Sequence, residues 1–288
     1  LGPSPAYSTH SSGEAAHSGY EQVTYGLDPT KGWVPDIEDI RNKVKYNDAI
    51  AGILLLSPDN PTGAVYQREV LEEIAAIAKE YDLFVISDEI YAHIVYNGNE
   101  HLHMSEWIGD VPAIAMRGIS KEYPWPGSRC GWLEILNRDK DENFSAYVDS
   151  ILAAKRLEVS STTLPQLSIP RVIGDPRYAQ HLANREAMFE SRSEELAVAF
   201  EGCDPVIVNK PGGAFYYTVM FKEGELNAKQ TLPIESDEVR RTIEGMVQGV
   251  ALDKRFVYYL DGSHGDCGGA VDGVSVSSFW VPGHVIRA

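Results

Sequence analysis

"AGILLLSPDNPTGAVYQREVLEEIAAIAKEYDLFVISDEIY", residues 51–91, carries the pattern that decides the fold. Its opening, "AGILLLS", is a short continuous apolar run, which suits a strand buried on both faces, as in a parallel sheet. The run stops at "PDNPTG". Residues 68–80, "REVLEEIAAIAKE", then place Val70, Leu71, Ile74, Ile77 and Ala78 on one helical face. "LFVISDEIY" (83–91) reads as a second strand that ends in polar residues. Strand, helix, strand with short connections is the repeating unit of an α/β fold.

Two more strands follow, "PAIAMRGIS" (112–120) and "CGWLEIL" (130–136). The polar groups Asp59-Asn60, Asp88 and Ser120-Lys121 each fall just past a strand C-terminus. In open parallel sheets that edge is where ligands bind. Farther on, residues 175–201 form a long helical pattern opened by Asp175 and Pro176 as cap and first-turn residues. "GGAFYYTVMF" (212–221) and "VDGVSVSSF" (271–279) read as strands, with a helix between them at 236–248. The expectation is a large α/β cofactor-binding domain over residues 1–178, mainly parallel in its sheet, and a smaller α+β domain over 179–288.

The formal charge of −17 argues against nucleic acid as a partner, because phosphate backbones need a basic footprint. It also disfavours anionic membrane surfaces, and no apolar run approaches the ~18 residues of a membrane helix. Three scattered cysteines match no zinc spacing and fit a reducing compartment, so the expected setting is cytoplasmic.

The loop "GISKEYPWPGSRCGW" (118–132) has only two cations, Lys121 and Arg129. Lys121 could form an imine with an aldehyde cofactor. Arg129 offers a bidentate fork for a phosphate, and Ser120 a hydroxyl for the same group. Asp88 could pair with a pyridinium nitrogen and keep it protonated, making the ring an electron sink. Tyr91 and Asn60 could both bond a phenolic ring oxygen. These are the requirements of pyridoxal 5′-phosphate. The plainer alternatives are a solvated loop for Lys121 and Arg129, a helix cap for Asp88 and a turn former for Asn60.

These pieces resemble the fold-type I aminotransferase family: "SPDNPTG" around Asn60, "SDEIYAHIVYNG" around Asp88 and Tyr91, "SKEYPWPGSRCGW" around Lys121 and Arg129. Their order and intervals of 28, 33 and 8 residues also agree. The resemblance is to the alanine- and aspartate-type members. It implies that Tyr7, in "PAY", stacks on the cofactor, and that Arg287, in the terminal "VIRA", clamps the substrate α-carboxylate, with Asn60 also on the substrate side. Arg156 could reach a distal substrate carboxylate, the plainer reading being a helix-face charge. Gly118 stands where some members carry a phosphate-binding serine. The resemblance further implies a segment ahead of "PAY" that completes the large domain, so the chain is expected to be part of a longer enzyme.

The implied activity is transfer of an amino group between an L-amino acid of alanine or aspartate type and a 2-oxo acid such as 2-oxoglutarate, by way of a Lys121 aldimine in a homodimer. The alternatives are another pyridoxal-phosphate enzyme of this fold (a β-lyase, decarboxylase or synthase), or a non-catalytic aminotransferase-like sensor or truncated homologue. "HLH" (101–103) reads as a surface loop rather than a metal site, since no carboxylate or cysteine lies nearby at ligand spacing. "GDCGGAVDG" (265–273) reads as a flexible loop, not a phosphate cradle.

Overall fold

The computed structural model describes residues 1–19, 21–223, 225, 278–281 and 284–287. The expected helix at 236–248, the glycine-rich 265–273 and most of the expected strand at 271–279 lie outside the described residues. In chain order the elements are β1 (Gly2–Ser4), α1 (Ser8–Ser18), β2 (Thr24–Asp28), β3 (Val34–Pro35), α2 (Ile37–Lys45), β4 (Gly52–Leu56), α3 (Arg68–Glu80) and β5 (Phe84–Asp88). There follow β6 (Ala113–Gly118), β7 (Gly131–Leu136), α4 (Glu142–Arg156), α5 (Thr163–Ile173), α6 (Arg177–Ala199), β8 (Val206–Val208), β9 (Val219–Phe221), β10 (Ser278–Val281) and β11 (His284–Arg287). Among the described residues no helix is long and apolar enough to cross a membrane.

The chain divides into two units, Leu1–Ala199 with Lys210–Tyr217, and Phe200–Asn209 with Thr218–Ala288. Among the described residues of the second, strands lie in the order β11-β10-β9-β8. In the first, the main sheet runs β4-β5-β6-β7, with β4, β5 and β6 parallel as the sequence pattern predicts. The fourth strand runs antiparallel to β6, in register from Ala113–Leu136 to Gly118–Gly131. The connection between β6 and β7 is a loop without an α-helix, and a parallel return needs a crossover of a dozen or more residues, usually helical. A smaller sheet, β1-β2-β3, joins this unit through Leu54 N–H, which donates to the Leu1 carbonyl at 2.9 Å.

The apolar face of α3 buries Leu71, Ile74, Ala75, Ile77 and Ala78; Val70, expected on that face, is only half-buried. On α4, Phe144 and Val148 pack against Phe84, Ile86, Ile114, Met116 and Ile135. Phe84 and Ile86 are two apart on β5 and share a face, as strand alternation requires. The helices α1, α2, α4 and α5 are not among the expected elements, although Phe144, Tyr147, Val148, Ile151 and Leu152 set an apolar stripe at helical spacing on α4. α6 begins where the sequence places it, with Asp175 Oδ1 accepting from Arg177 N–H at 2.9 Å.

The "GGAFYYTVMF" segment is a strand only over Val219–Phe221. Its first residues spend their N–H groups elsewhere: Gly212 and Gly213 both donate to the Gly63 carbonyl, at 2.8 and 3.0 Å, and Ala214 donates to Ile94. Ala214 also has a left-handed φ of 55°, which ends extended pairing. Gly63 meets this segment at φ +70°, and a Cβ there would lie 2.4 Å from Pro211 Cβ, so only glycine fits.

The turn between β4 and α3 is built on Asp59. Its carboxylate Oδ2 accepts from the backbone and hydroxyl of Thr62, and its backbone closes the turn with Gly63 and Ala64. The side chain is fully buried, Oδ1 has no hydrogen-bond partner among the described residues, and desolvation pushes the carboxyl up to about 7 against the two Thr62 bonds. The folded chain therefore holds a proton that the unfolded chain releases near its ordinary value of 3.8. This group's stabilisation is complete below about pH 4 and is lost as pH rises through 7, by about 4 kcal/mol at most. Denaturant titrations from pH 4 to 8 should show Asp59→Asn gaining stability relative to the parent as pH rises, with the gap levelling off above pH 7.

Candidate active site

Three adjacent strand ends carry the site. Asp88 closes β5, opposite Leu56 on β4 and Met116 on β6. Its Oδ1 accepts from Ile90 N–H at 3.1 Å, and its Oδ2 lies 2.8 Å from His10 Nε2. The ring of His10, in the first turn of α1, meets Tyr7 edge-on at 5.5 Å. Tyr7, with 45% of its surface exposed, is therefore at the accessible side of the His10–Asp88 pair. Sequence reading missed His10. Its signal was weak: an imidazole three residues after Tyr7, 78 residues from its carboxylate.

Asn60, in the turn after β4, lies beside the Tyr91 phenol, and the Tyr91 hydroxyl lies 2.8 Å from that of Tyr216. Tyr91 is buried to 2% exposure. Desolvation, reinforced by Tyr216, pushes its phenol far above the ordinary value, so it remains a neutral O–H donor. Tyr216 is a second residue that sequence reading missed; it arrives on the segment held by Gly63.

Lys121 stands in the loop after β6. Its Nζ is 5.9 Å from the Tyr91 ring centre and 5.6 Å from that of Phe215. The loop backbone is gripped by α6: Arg185 donates to the Lys121 carbonyl at 2.9 Å, and His181 to the Glu122 carbonyl at 3.2 Å. The Glu122 carboxyl is buried, and desolvation pushes it up to about 7. Ser120 is half-buried beside Lys121. Gly118 pairs with Gly131 across β6 and β7, and a Cβ on Gly118 would meet Ile90 Cδ1 at 3.0 Å and the Cys130 carbonyl at 3.2 Å. That crowding leaves little room for a side chain at position 118.

The structure thus brings Tyr7 and Asp88 together through His10, and Asn60, Tyr91 and Lys121 together through the Tyr91 ring and hydroxyl. Arg129 stands apart: exposed, at a left-handed φ of 49°, its guanidinium donates to the Pro126 carbonyl at 2.8 Å. Arg287 is on β11, and its side chain lies outside the described residues. Arg156 ends α4 and is exposed. The surface-loop reading of residues 101–103 is corrected. The His101 side chain is 4% exposed, and both His101 and His103 face Glu89, a carboxylate that the fold brings in from the end of β5.

The profile of the family described as aminotransferase class I and II matches residues 1–260. The chain is 51% identical over 267 residues to the uncharacterized aminotransferase MJ1479 of Methanocaldococcus jannaschii, covering 93% of this chain and 62% of that protein. It is 29% identical to the glutamate-pyruvate aminotransferase AlaA of Escherichia coli, covering 88% of this chain and 61% of AlaA. Among solved structures, alanine aminotransferase from Pyrococcus furiosus matches with a TM-score of 0.67 and 30% identity, over 82% of this chain and 56% of that one. The chain thus spans about three-fifths of the length of the curated relatives it matches. With its fold, its ordered motifs and its match to the family profile over most of its length, the chain belongs to the aminotransferase class I and II family.

Proposed function

We propose that the protein is a pyridoxal-phosphate-dependent aminotransferase that moves an amino group between an L-amino acid of alanine or aspartate type and a 2-oxo acid such as 2-oxoglutarate. The observation that carries this is the placement of Lys121, the Tyr91–Tyr216 hydroxyl pair with Asn60 beside it, and the His10–Asp88 pair at three neighbouring strand ends. The printed activity of AlaA, glutamate-pyruvate exchange, supports the choice of donor and acceptor.

The donor set fits the cofactor. Lys121 is the amine for its aldehyde, Asp88 the anion for its ring nitrogen, and Asn60 with Tyr91 the donors for its ring oxygen. Ser120 is assigned to its phosphate and Tyr7 to its ring face; the resemblance alone assigns Arg129, here turned to the Pro126 carbonyl, to the same phosphate, and Arg287 with Asn60 to the substrate carboxylate. When bound, pyridoxal phosphate supplies an electron sink for negative charge at the substrate Cα.

The chain's own groups then do the following. Asp88, held by the Ile90 N–H and by His10, would keep a proton on the ring nitrogen of a bound cofactor. His10 fixes the carboxylate's direction. The neutral Tyr91 hydroxyl donates where a phenolate oxygen would sit, oriented by its partners Asn60 and Tyr216. Lys121 Nζ, over the Tyr91 and Phe215 rings, takes the proton from the substrate Cα and returns one in the reverse direction. Homodimerisation and a cytoplasmic setting, expected from resemblance and composition, belong to the same proposal.

The full-length protein with pyridoxal phosphate should show a visible absorbance band that alanine or glutamate bleaches, and should form 2-oxo acid without releasing ammonia or carbon dioxide. Lys121→Ala should lose both the band and the activity. Ammonia or carbon dioxide as product would favour a lyase or decarboxylase instead. A hydrogen bond to a charged group is worth about 1.5–3 kcal/mol, so His10→Ala should lower kcat roughly tenfold or more. The band's dependence on Lys121 should survive in that variant.

A further inference from the structure

Glu89 follows Asp88 in the chain but has no part in the His10 pair. Its side chain is fully buried. Oε1 accepts from the Met104 N–H at 2.7 Å. Oε2 faces three groups: Arg117 at 2.9 Å, His103 Nδ1 at 3.2 Å and His101 Nε2 at 3.5 Å. The His101 side chain is 4% exposed, and among the described residues neither of its ring nitrogens makes a hydrogen bond, its Nε2 standing 3.5 Å from Glu89 Oε2. Buried polar atoms are nearly always satisfied, so an orphaned imidazole aimed at a carboxylate needs a reason.

We propose that Glu89, His101 and His103 form a binding site for one divalent transition-metal ion of zinc type. A tetrahedral zinc with bonds of about 2.0–2.1 Å sets neighbouring donor atoms about 3.3 Å apart. The carboxylate oxygen stands 3.2 and 3.5 Å from the two imidazole nitrogens, and all three donor atoms lie within 4.8 Å of one another. Two imidazoles and a carboxylate suit zinc or its neighbours and do not suit calcium or magnesium, which take oxygen donors.

Arg117 uses one lone pair of Oε2, and the other remains for a metal. Arg117 also contacts Glu134 at 3.4 Å, and Glu122 lies nearby across a cavity of about 200 Å³ that Glu89, His93, Arg117 and Tyr178 also line. Glu89, Glu134 and an ionised Glu122 together balance the Arg117 guanidinium and a dication.

The role is structural. The Glu89 N–H donates to the Met116 carbonyl at 2.9 Å, Asp88 precedes Glu89, and Arg117 stands four residues before Lys121. An ion here would tie the ends of β5 and β6 to the loop carrying His101 and His103.

The test uses the full-length protein, stripped with a chelator, reloaded with zinc, desalted and assayed for metal, with zinc affinity measured against a chromophoric chelator. One retained equivalent, a melting temperature raised by zinc, and at least about tenfold weaker binding in both His101→Phe and His103→Asn would support the site. His101→Phe keeps the buried volume, and near-ultraviolet circular dichroism of each variant without metal establishes that it is folded. No retained zinc in the parent, or zinc retained equally by the folded variants, would overturn the proposal and leave the cluster as an ion-pair network around Glu89. None of these readouts requires aminotransferase activity.

Discussion

The in-register pairing of Leu56 with Asp88 and of Asp88 with Met116 is the constraint on which the site depends. Parallel strands release their C-terminal loops on one edge. The ladder also runs one residue further on both sides, with the Ser57 N–H donating to the Asp88 carbonyl and the Glu89 N–H to Met116. Three loops therefore leave the sheet at one level, carrying Asn60, Tyr91 and Lys121. A slip of one residue would exchange the directions of Asp88 and Glu89, placing the wrong carboxylate beside His10.

Burial treats the chain's carboxylates unequally. Asp59 and Glu122 are held up at about 7 because desolvation dominates around them. Glu89 is just as hidden, yet it sits at about 2: burial raises it, and the two histidines and Arg117 lower it further than burial lifts it. Asp88 is only partly buried and is oriented by one imidazole and one backbone N–H. The same residue type is thus a buried acid, a permanent anion or an oriented anion according to its neighbours. This matters in a chain of net charge −17, where mutual repulsion gives a carboxylate reason to stay exposed.

The first unit is also held by contacts between segments far apart in sequence. Gly63 accepts from Gly212 and Gly213, Tyr91 meets Tyr216, and Arg185 and His181 hold the backbone at Lys121 and Glu122. Each fastens a loop that would otherwise be free to move at the sheet edge. Loops carry functional groups well only when a rigid frame positions them.

What was legible in the sequence was local. Apolar runs and one amphipathic face gave β4, α3, β5 and β6 with ends shifted by up to three residues, and the motif residues at the strand ends marked Asn60, Asp88, Tyr91 and Lys121, because those signals depend only on near neighbours. The tertiary structure decided what depends on pairing across distance. It turned β7 antiparallel and brought His10 to Asp88 and Tyr216 to Tyr91. It carried "HLH" inward to Glu89 and pointed Arg129 at the Pro126 carbonyl. Periodicity reports which face of an element is apolar. It holds no record of which side chains from other segments will meet across that face, and in this protein those meetings orient the carboxylates and hydroxyls on which the proposed chemistry rests.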